Sequence, residues 1–196
     1  KHRAPGLRVR GCGGEAMEKA GMEVAVNLLQ ELHVMLFFQV LLNIRKVMRL
    51  RKKTLEDIGQ LKPDLVVLVD YPGFNLSIAK ALKADPATAG IPIYYYITPQ
   101  VWAWGQGRVK KIRRVVELAL AILPFEEKFF HDHGVKVEFV GHPLMEELST
   151  DFPNPAASAK EKNLIALFPG SREHVLKTNL PLFLACARDL LHRHPE

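Results

Sequence analysis

The sequence has little cysteine and no long apolar run. Among its 196 residues only Cys12 and Cys186 are cysteines, and their wide separation indicates neither a metal knuckle nor a disulfide framework. So few cysteines are typical of a protein in a reducing compartment. No signal peptide opens the sequence, and no apolar run reaches the roughly 18 to 20 residues that span a bilayer. We therefore expect neither secretion nor integral membrane insertion.

Familiar nucleotide and metal motifs are also missing. The glycine-containing loops carry neither a Gly-Lys-Ser/Thr nor a Gly-x-Gly-x-x-Gly pattern, which argues against Walker-type hydrolysis and Rossmann dinucleotide binding. His131 and His133 occur without an HExxH motif or a cysteine pair. We therefore predict no metal site and no cofactor.

Positive charge is concentrated in two clusters. The formal net charge is +6, and such clusters suit nucleic acid, anionic lipid or phosphorylated substrates, or simply form a solvated helix face. Net charge does not separate these alternatives. The clusters consist of Arg45, Lys46, Arg49, Arg51, Lys52 and Lys53, and of Arg108, Lys110, Lys111, Arg113 and Arg114.

Short apolar runs alternate with helix-like segments. Runs nearly free of polar residues are typical of a parallel sheet that is buried on both faces. The alternation therefore predicts an α/β fold with a doubly wound, Rossmann-like parallel sheet. At the start we expect a strand at 7–10, a tight loop at 11–14 and a helical turn at 15–20. The later predicted strands are 65–69, 93–97, 119–123, 137–140 and 164–168.

A linker divides the predicted domains. Residues 149–162, STDFPNPAASAKEK, are rich in proline and in small and polar residues. We predict a first Rossmann-like domain at 1–150, incomplete at its start. Residues 151–196 then hold the linker and the first βα unit of a second Rossmann-like domain. One βα unit cannot bury its own faces, so we expect the sequence to be a fragment.

An acidic residue ends the strand in LVVLVDYPGFN. Ligands of open α/β sheets bind beyond the carboxyl ends of strands, where Asp70 is expected. Pro72 and Gly73 break the strand, and Asn75 is predicted to cap a helix that begins near Leu76. Asp70 is then either a general base or ligand for a substrate hydroxyl, or a turn aspartate.

Other candidate binding residues follow later strands. In the loop at 98–114, Trp102 and Trp104 suit sugar rings, acyl chains or nucleic-acid bases, or serve as buried anchors. The arginines and lysines of this loop suit phosphate. His142 follows a strand end, where it lines a cleft or packs structurally. The PGSR loop, residues 169–172, favours an anion at a helix N-terminus.

An apolar run precedes the first basic cluster. Residues 34–42, VMLFFQVLL, contain one polar residue, and this composition is typical of an element in the headgroup region or of a core helix with a basic edge. The candidate membrane-contacting residues are Val34, Met35, Leu36, Phe37, Phe38, Leu41 and Leu42.

Together, VDYPGFN, YYITPQVWAWGQGRVKKIRR, ILPFEEKFFHDHGVKVEFVGHPL and LFPGSRE resemble the lipid-A-disaccharide synthase family. The resemblance runs from about Arg8 to the end, and GCGGEAMEKAG matches an early glycine loop of the family. It implies a two-domain GT-B fold and a metal-free inverting transfer. The reaction implied joins UDP-2,3-diacylglucosamine to 2,3-diacylglucosamine 1-phosphate, giving lipid A disaccharide 1-phosphate and UDP.

The resemblance also implies roles for individual residues. Asp70 matches a candidate base for the acceptor hydroxyl, and Arg172 matches an arginine suited to charge on departing UDP. Gly73 stands where some members carry a second acid, so no role of that acid transfers. We expect this chain alone to be inactive. The residues expected to bind substrate are Asn75, Gln100, Trp102, Trp104, Arg108, His142, Gly170 and Ser171.

The resemblance also implies where the protein acts and what it meets. The expected location is peripheral, on the cytoplasmic face of the bacterial inner membrane. The expected partners are acylated glucosamine substrates and the anionic membrane surface, with no nucleic acid; a homodimer is left open. Two alternatives remain: another GT-B UDP-sugar transferase with a soluble acceptor, and an RNA-binding module.

Overall fold

The computed structural model describes residues 6–27, 40–103, 106–151 and 165–194. By internal packing the chain divides into two compact units, residues 1–148 and 149–196. The predicted domains 1–150 and 151–196 stay a prediction.

The first unit alternates strands and helices along most of its length. This order is that of an α/β fold, and it confirms the predicted fold class. Its elements are β1 Arg10–Gly13, α1 Glu15–Lys19, β2 Glu23–Asn27, α2 Val40–Leu61, β3 Val66–Val69, α3 Pro72–Ala84, β4 Ile93–Tyr96, a 3-10 turn Gln106–Arg108, α4 Val109–Val115, β5 Leu118–Ala121, α5 Pro124–Asp132, β6 Val137–Phe139 and α6 Pro143–Asp151.

All described strand pairs are parallel. Strands β1 and β2 form one small sheet, and β3, β4, β5 and β6 form a second sheet in that order. Val66 lies opposite Ile93 in the larger sheet, and Tyr94 lies opposite Leu118. Each neighbouring pair in this sheet is joined by one of the helices α3, α4 and α5, so all four strands end at the same edge.

The core lies between the larger sheet and its helices. Val66 and Leu68 of β3 are buried, whereas Val67 is 51% exposed. The described part of β3 is therefore covered on one face, which differs from the expected burial on both faces. Strand β4 is more enclosed, because Tyr94 and Tyr96 on its other face are half-buried. Helices contribute Ile78, Ala79, Leu82, Val109, Ile112 and Phe130 to the same core.

The first βαβ segment differs from the prediction. The strand is Arg10–Gly13 rather than 7–10, because these residues pair with β2, a strand that the sequence pattern did not indicate. Gly13 allows this close packing, since a Cβ atom there would lie 2.6 Å from Met17 Sδ. The predicted helical turn at 15–20 is confirmed as α1.

The described residues of the second unit lie mainly in one long helix. Helix α7 spans Glu173–Arg193. The strand predicted at 164–168 is wrong for the residues described, because 165–170 adopt no regular structure. A strand is stabilised by hydrogen bonds to a neighbouring strand, and the described residues of this unit include none.

Candidate functional site

A cavity of about 370 Å³ opens at the carboxyl ends of β3, β4 and β5. This is the edge at which open α/β sheets bind their ligands. Both polar and apolar residues line it. Its lining comprises Asp70, Pro72, Ile97, Thr98, Pro99, Gln100, Val101, Arg108, Ile122, Leu123 and Glu126.

The backbone of Asp70 is held from several sides. Its amide donates to the Tyr96 carbonyl at 3.0 Å, which extends the β3–β4 ladder by one bond. Its own carbonyl oxygen accepts from the Tyr95 hydroxyl at 2.8 Å and from Asn75 Nδ2 at 2.6 Å. The carboxylate is exposed and makes no hydrogen bond or ion pair with any described residue. The backbone of Asp70 is therefore fixed, and its carboxylate is available to a ligand.

The Tyr95 phenol is a permanent donor in this arrangement. Its side chain is fully buried, and this burial, with a smaller effect of the Asp70 carboxylate, raises the pKa of the hydroxyl well above its ordinary value. The raised pKa favours the protonated hydroxyl, the form that donates to the Asp70 carbonyl.

Backbone strain is concentrated at the same strand ends. Asp70 and Tyr71 have φ angles of 47° and 43°, and Ile97, at the end of β4, has φ of 57°. Side chains with a Cβ branch rarely enter this left-handed region, so Ile97 is an outlier. Strained residues of this kind cluster at functional sites, where the surrounding structure maintains them.

The predicted cap role of Asn75 is wrong. Helix α3 begins at Pro72, four residues before the expected start at Leu76, because proline fits the first helical position. Asn75 instead lies within the first turn, where Nδ2 donates to the carbonyls of Val69 and Asp70. It ties the helix start to the end of β3.

Glu126 was not identified from the sequence. Its side chain is 1% exposed, and the carboxylate accepts hydrogen bonds from Trp102 Nε1 at 3.0 Å, Leu123 N at 3.1 Å and Ile122 N at 3.3 Å. A glutamate two residues after the proline that starts α5 is the available sequence signal, since it reaches back to the unpaired amides at the helix start.

Trp102 is an anchor of its loop. Its indole donates to Glu126 and meets Phe125 edge-to-face, with ring centroids 4.9 Å apart. Burial as an anchor is one of the alternatives that the sequence left open. Trp102 does not line the cavity, and its contact with substrate stays a prediction.

Among the remaining predicted residues of the first unit, Gln100 and Arg108 join Asp70 in the cavity lining. His142 lies elsewhere, in the turn before α6, where Nδ1 accepts from the Leu144 amide at 3.2 Å. Trp104 lies outside the described residues. The structure thus brings a carboxylate, an amide and a guanidinium to one cavity.

The PGSR loop lies in the second unit. Gly170 has φ of 106°, and a Cβ atom there would lie 2.6 Å from Val175 Cγ1, so this position requires glycine. Asn179 Nδ2 donates to the Pro169 carbonyl at 3.2 Å and holds the loop against α7. Exposed Arg172 is the residue immediately before that helix. A loop, a guanidinium and a helix N-terminus together favour an anion.

The structure describes only part of the predicted membrane surface. Residues 34–38 lie outside the described residues, and Leu41 and Leu42 are described by backbone alone, within α2. The basic side chains of α2 are mostly exposed along the following turns. No described helix is long and apolar enough to span a membrane, and the described side chains form no cluster suited to a metal ion.

The fold and cavity define an α/β protein with a cavity at the carboxyl ends of its parallel strands, the edge at which folds of this class bind ligands. A family model described as lipid-A-disaccharide synthetase matches residues 1–196. The chain is 38% identical to the lipid-A-disaccharide synthase of Coxiella burnetii over 194 residues, which are 94% of this chain and 49% of that relative. It therefore belongs to the lipid-A-disaccharide synthetase family.

Two further relatives agree with this assignment. The lipid-A-disaccharide synthase of Anaeromyxobacter dehalogenans is 39% identical over 196 residues, covering 98% of this chain and 50% of the relative. The lipid-A-disaccharide synthase of Myxococcus xanthus is 37% identical over 198 residues, covering 98% of this chain and 50% of that relative. The chain spans about half the length of the curated relatives that it matches.

Proposed function

We propose that the complete protein transfers the sugar of UDP-2,3-diacylglucosamine to 2,3-diacylglucosamine 1-phosphate. The products are lipid A disaccharide 1-phosphate and UDP. Membership of the family and the names of the relatives support this reaction. The structural observation that carries it is the free carboxylate of Asp70, which lies on a strained turn and lines the cavity.

In this proposal Asp70 is the general base. An inverting transfer requires a group that removes the proton from the acceptor hydroxyl as this oxygen attacks the sugar carbon of the donor. The bond from that carbon to the UDP oxygen breaks at the same time. The hydrogen bonds from Tyr95 and Asn75 fix the Asp70 backbone, so the carboxylate needs little reorganisation to reach the acceptor.

Arg172 is the proposed partner of the leaving group. Negative charge grows on the UDP oxygen as the bond to the sugar breaks, and a guanidinium beside a helix N-terminus stabilises such charge. Gly170 and Ser171 would bring backbone amides to the same diphosphate. This mechanism uses side chains and backbone alone and needs no cofactor.

The enzyme is proposed to act at the cytoplasmic face of the inner membrane. Both proposed substrates carry acyl chains, so they reside in a bilayer. The exposed basic residues of α2, which begins within the apolar run 34–42, support a peripheral association with anionic lipid.

Product formation tests the reaction. The complete protein is incubated in detergent with both acylated substrates, and the products are identified by mass spectrometry. The proposal predicts the disaccharide phosphate together with an equal amount of UDP. Folded protein that forms no such disaccharide while transferring sugar from another UDP-sugar would contradict the lipid assignment.

A further inference from the structure

One of the residues that line the cavity carries a buried hydroxyl without a partner among the described residues. Thr98 follows β4, is 4% exposed and lines the cavity beside Asp70. Its Oγ1 makes no hydrogen bond with any residue that the structure describes. Buried polar groups are nearly always paired, because an unpaired one loses its hydration without compensation. The orphaned hydroxyl therefore points to a ligand.

Thr88 provides the contrast within the same unit. It is 3% exposed, and its Oγ1 donates to the Leu82 carbonyl at 2.9 Å. The hydroxyl of this structural threonine thus finds its hydrogen-bond partner within the protein. Thr98 is equally buried, yet it is unsatisfied.

The other polar groups of the cavity indicate the chemistry of the ligand. Arg108 lines it, and this guanidinium makes no hydrogen bond or ion pair within the described part of the chain. A free guanidinium is well suited to phosphate, which it binds through two parallel hydrogen bonds. Ile97, Val101 and Ile122 supply apolar walls, and the volume of about 370 Å³ falls within the range of small-molecule sites.

We propose that this cavity binds the glucosamine 1-phosphate group of the acceptor, with Thr98 Oγ1 and Arg108 as its phosphate contacts. The inference rests on the proposed function, since Asp70 as base requires the acceptor hydroxyl at the same place. The sugar ring then extends from Asp70, with its reacting hydroxyl at one end and its phosphate at the other. Thr98 and Arg108 thereby select a phosphorylated acceptor.

Acceptor binding by the complete protein tests this inference. The dissociation constant of diacylglucosamine 1-phosphate is measured in detergent by calorimetry for the wild type, Thr98→Val, Thr98→Ser and Thr88→Val. Thr98→Val should weaken binding about tenfold, the loss of one hydrogen bond to a charged group, and Thr98→Ser should restore it. The melting temperature of Thr98→Val should not fall, because its hydroxyl has no partner in the protein.

Thr88→Val is the matched control. It loses a hydrogen bond of the fold, so its melting temperature should fall while acceptor affinity is unchanged. Diacylglucosamine without phosphate, used as a competitor, should bind wild type and Thr98→Val equally. The inference would be overturned if Thr98→Val bound the phosphorylated acceptor with wild-type affinity. It would also be overturned if Thr98→Val lost affinity equally for the acceptor with phosphate and the acceptor without it.

The two proposals fail separately in this design. Transfer by the wild type combined with normal acceptor binding by Thr98→Val would overturn the acceptor site alone. Acceptor binding that depends on Thr98 in a protein that transfers nothing would overturn the proposed reaction alone.

Discussion

The hydroxyl of Tyr95 donates a hydrogen bond to the carbonyl oxygen of Asp70 at 2.8 Å. A fully buried side chain of β4 thus holds the backbone of the proposed base, which directly follows β3. This hydrogen bond therefore links the core of the sheet to the backbone that carries the candidate catalytic carboxylate.

Tyr95→Phe should lower turnover several-fold with little change in the KM for the donor. The variant keeps the ring in the core but releases one of the two side-chain bonds on the Asp70 carbonyl. Stability should fall by about 1 kcal/mol, the net value of one hydrogen bond. Tyr94→Phe is the control, since the Tyr94 hydroxyl makes no hydrogen bond with the described residues. Equal turnover in both variants would contradict the coupling.

Glu126→Ala should destabilise the first unit by at least about 3 kcal/mol, measured by chemical denaturation of the complete protein. The substitution leaves three donors unpaired around a buried site, namely Trp102 Nε1 and the amides of Ile122 and Leu123. Trp102→Phe removes only one of the donors and should cost less. Glu127→Ala, at an exposed neighbouring position, should change stability by less than about 0.5 kcal/mol. Similar stabilities of the Glu126 and Glu127 variants would refute this account of the loop anchor.

Gly170→Ala should weaken UDP binding by the complete protein and lower its stability by at least about 1 kcal/mol. The backbone at φ of 106° disfavours any side chain, and the new Cβ atom would meet Val175 at 2.6 Å. Gly59→Ala provides the control, because its Cβ atom meets nothing within 4 Å in the interior of α2. There alanine should stabilise the helix by about 0.5 to 1 kcal/mol. Unchanged UDP affinity in Gly170→Ala would argue against the loop as an anion site.

Lys136→Gln should raise the pKa of Glu117 toward its ordinary value. Lys136 Nζ lies 3.0 Å from the Glu117 carboxylate, and this hydrogen bond lowers the pKa of the glutamate. Because the folded-state pKa is lowered, the pair contributes stability above the ordinary pKa, and this contribution is lost as the pH falls through the folded-state pKa. A titration followed by NMR measures the shift. Lys128→Gln, which removes the partner of Asp132, should leave the Glu117 pKa unchanged.

Local patterns predicted the parts of the fold that depend on local residues. The apolar runs at 65–69 and 93–97 correspond to β3 and β4, because a strand buried in a parallel sheet has few polar residues. The position of Asp70 at a strand end followed from the same pattern. Glycine-rich Arg10–Gly13 lacks this signal and becomes a strand only through pairing with β2.

The parts that depend on distant residues were not predictable in this way. The spacing of Glu126 from Pro124 indicates only a helix start, and folding brings its carboxylate within hydrogen-bond distance of the Trp102 indole. Thr88 Oγ1 reaches the Leu82 carbonyl whereas Thr98 Oγ1 has no partner among the described residues, and no sequence pattern reports this difference. The start of α3 at Pro72 was misplaced because Asn75 also suits a cap by composition.

The turnover of Asp70→Asn in the complete protein, with both acylated substrates, tests the central claim most directly. Asparagine tolerates the left-handed backbone at this position, so the turn is preserved while the base is removed. The account predicts a loss of at least about a hundredfold in kcat, with donor affinity and melting temperature close to those of the wild type. Turnover near the wild-type value would show that Asp70 is not the base.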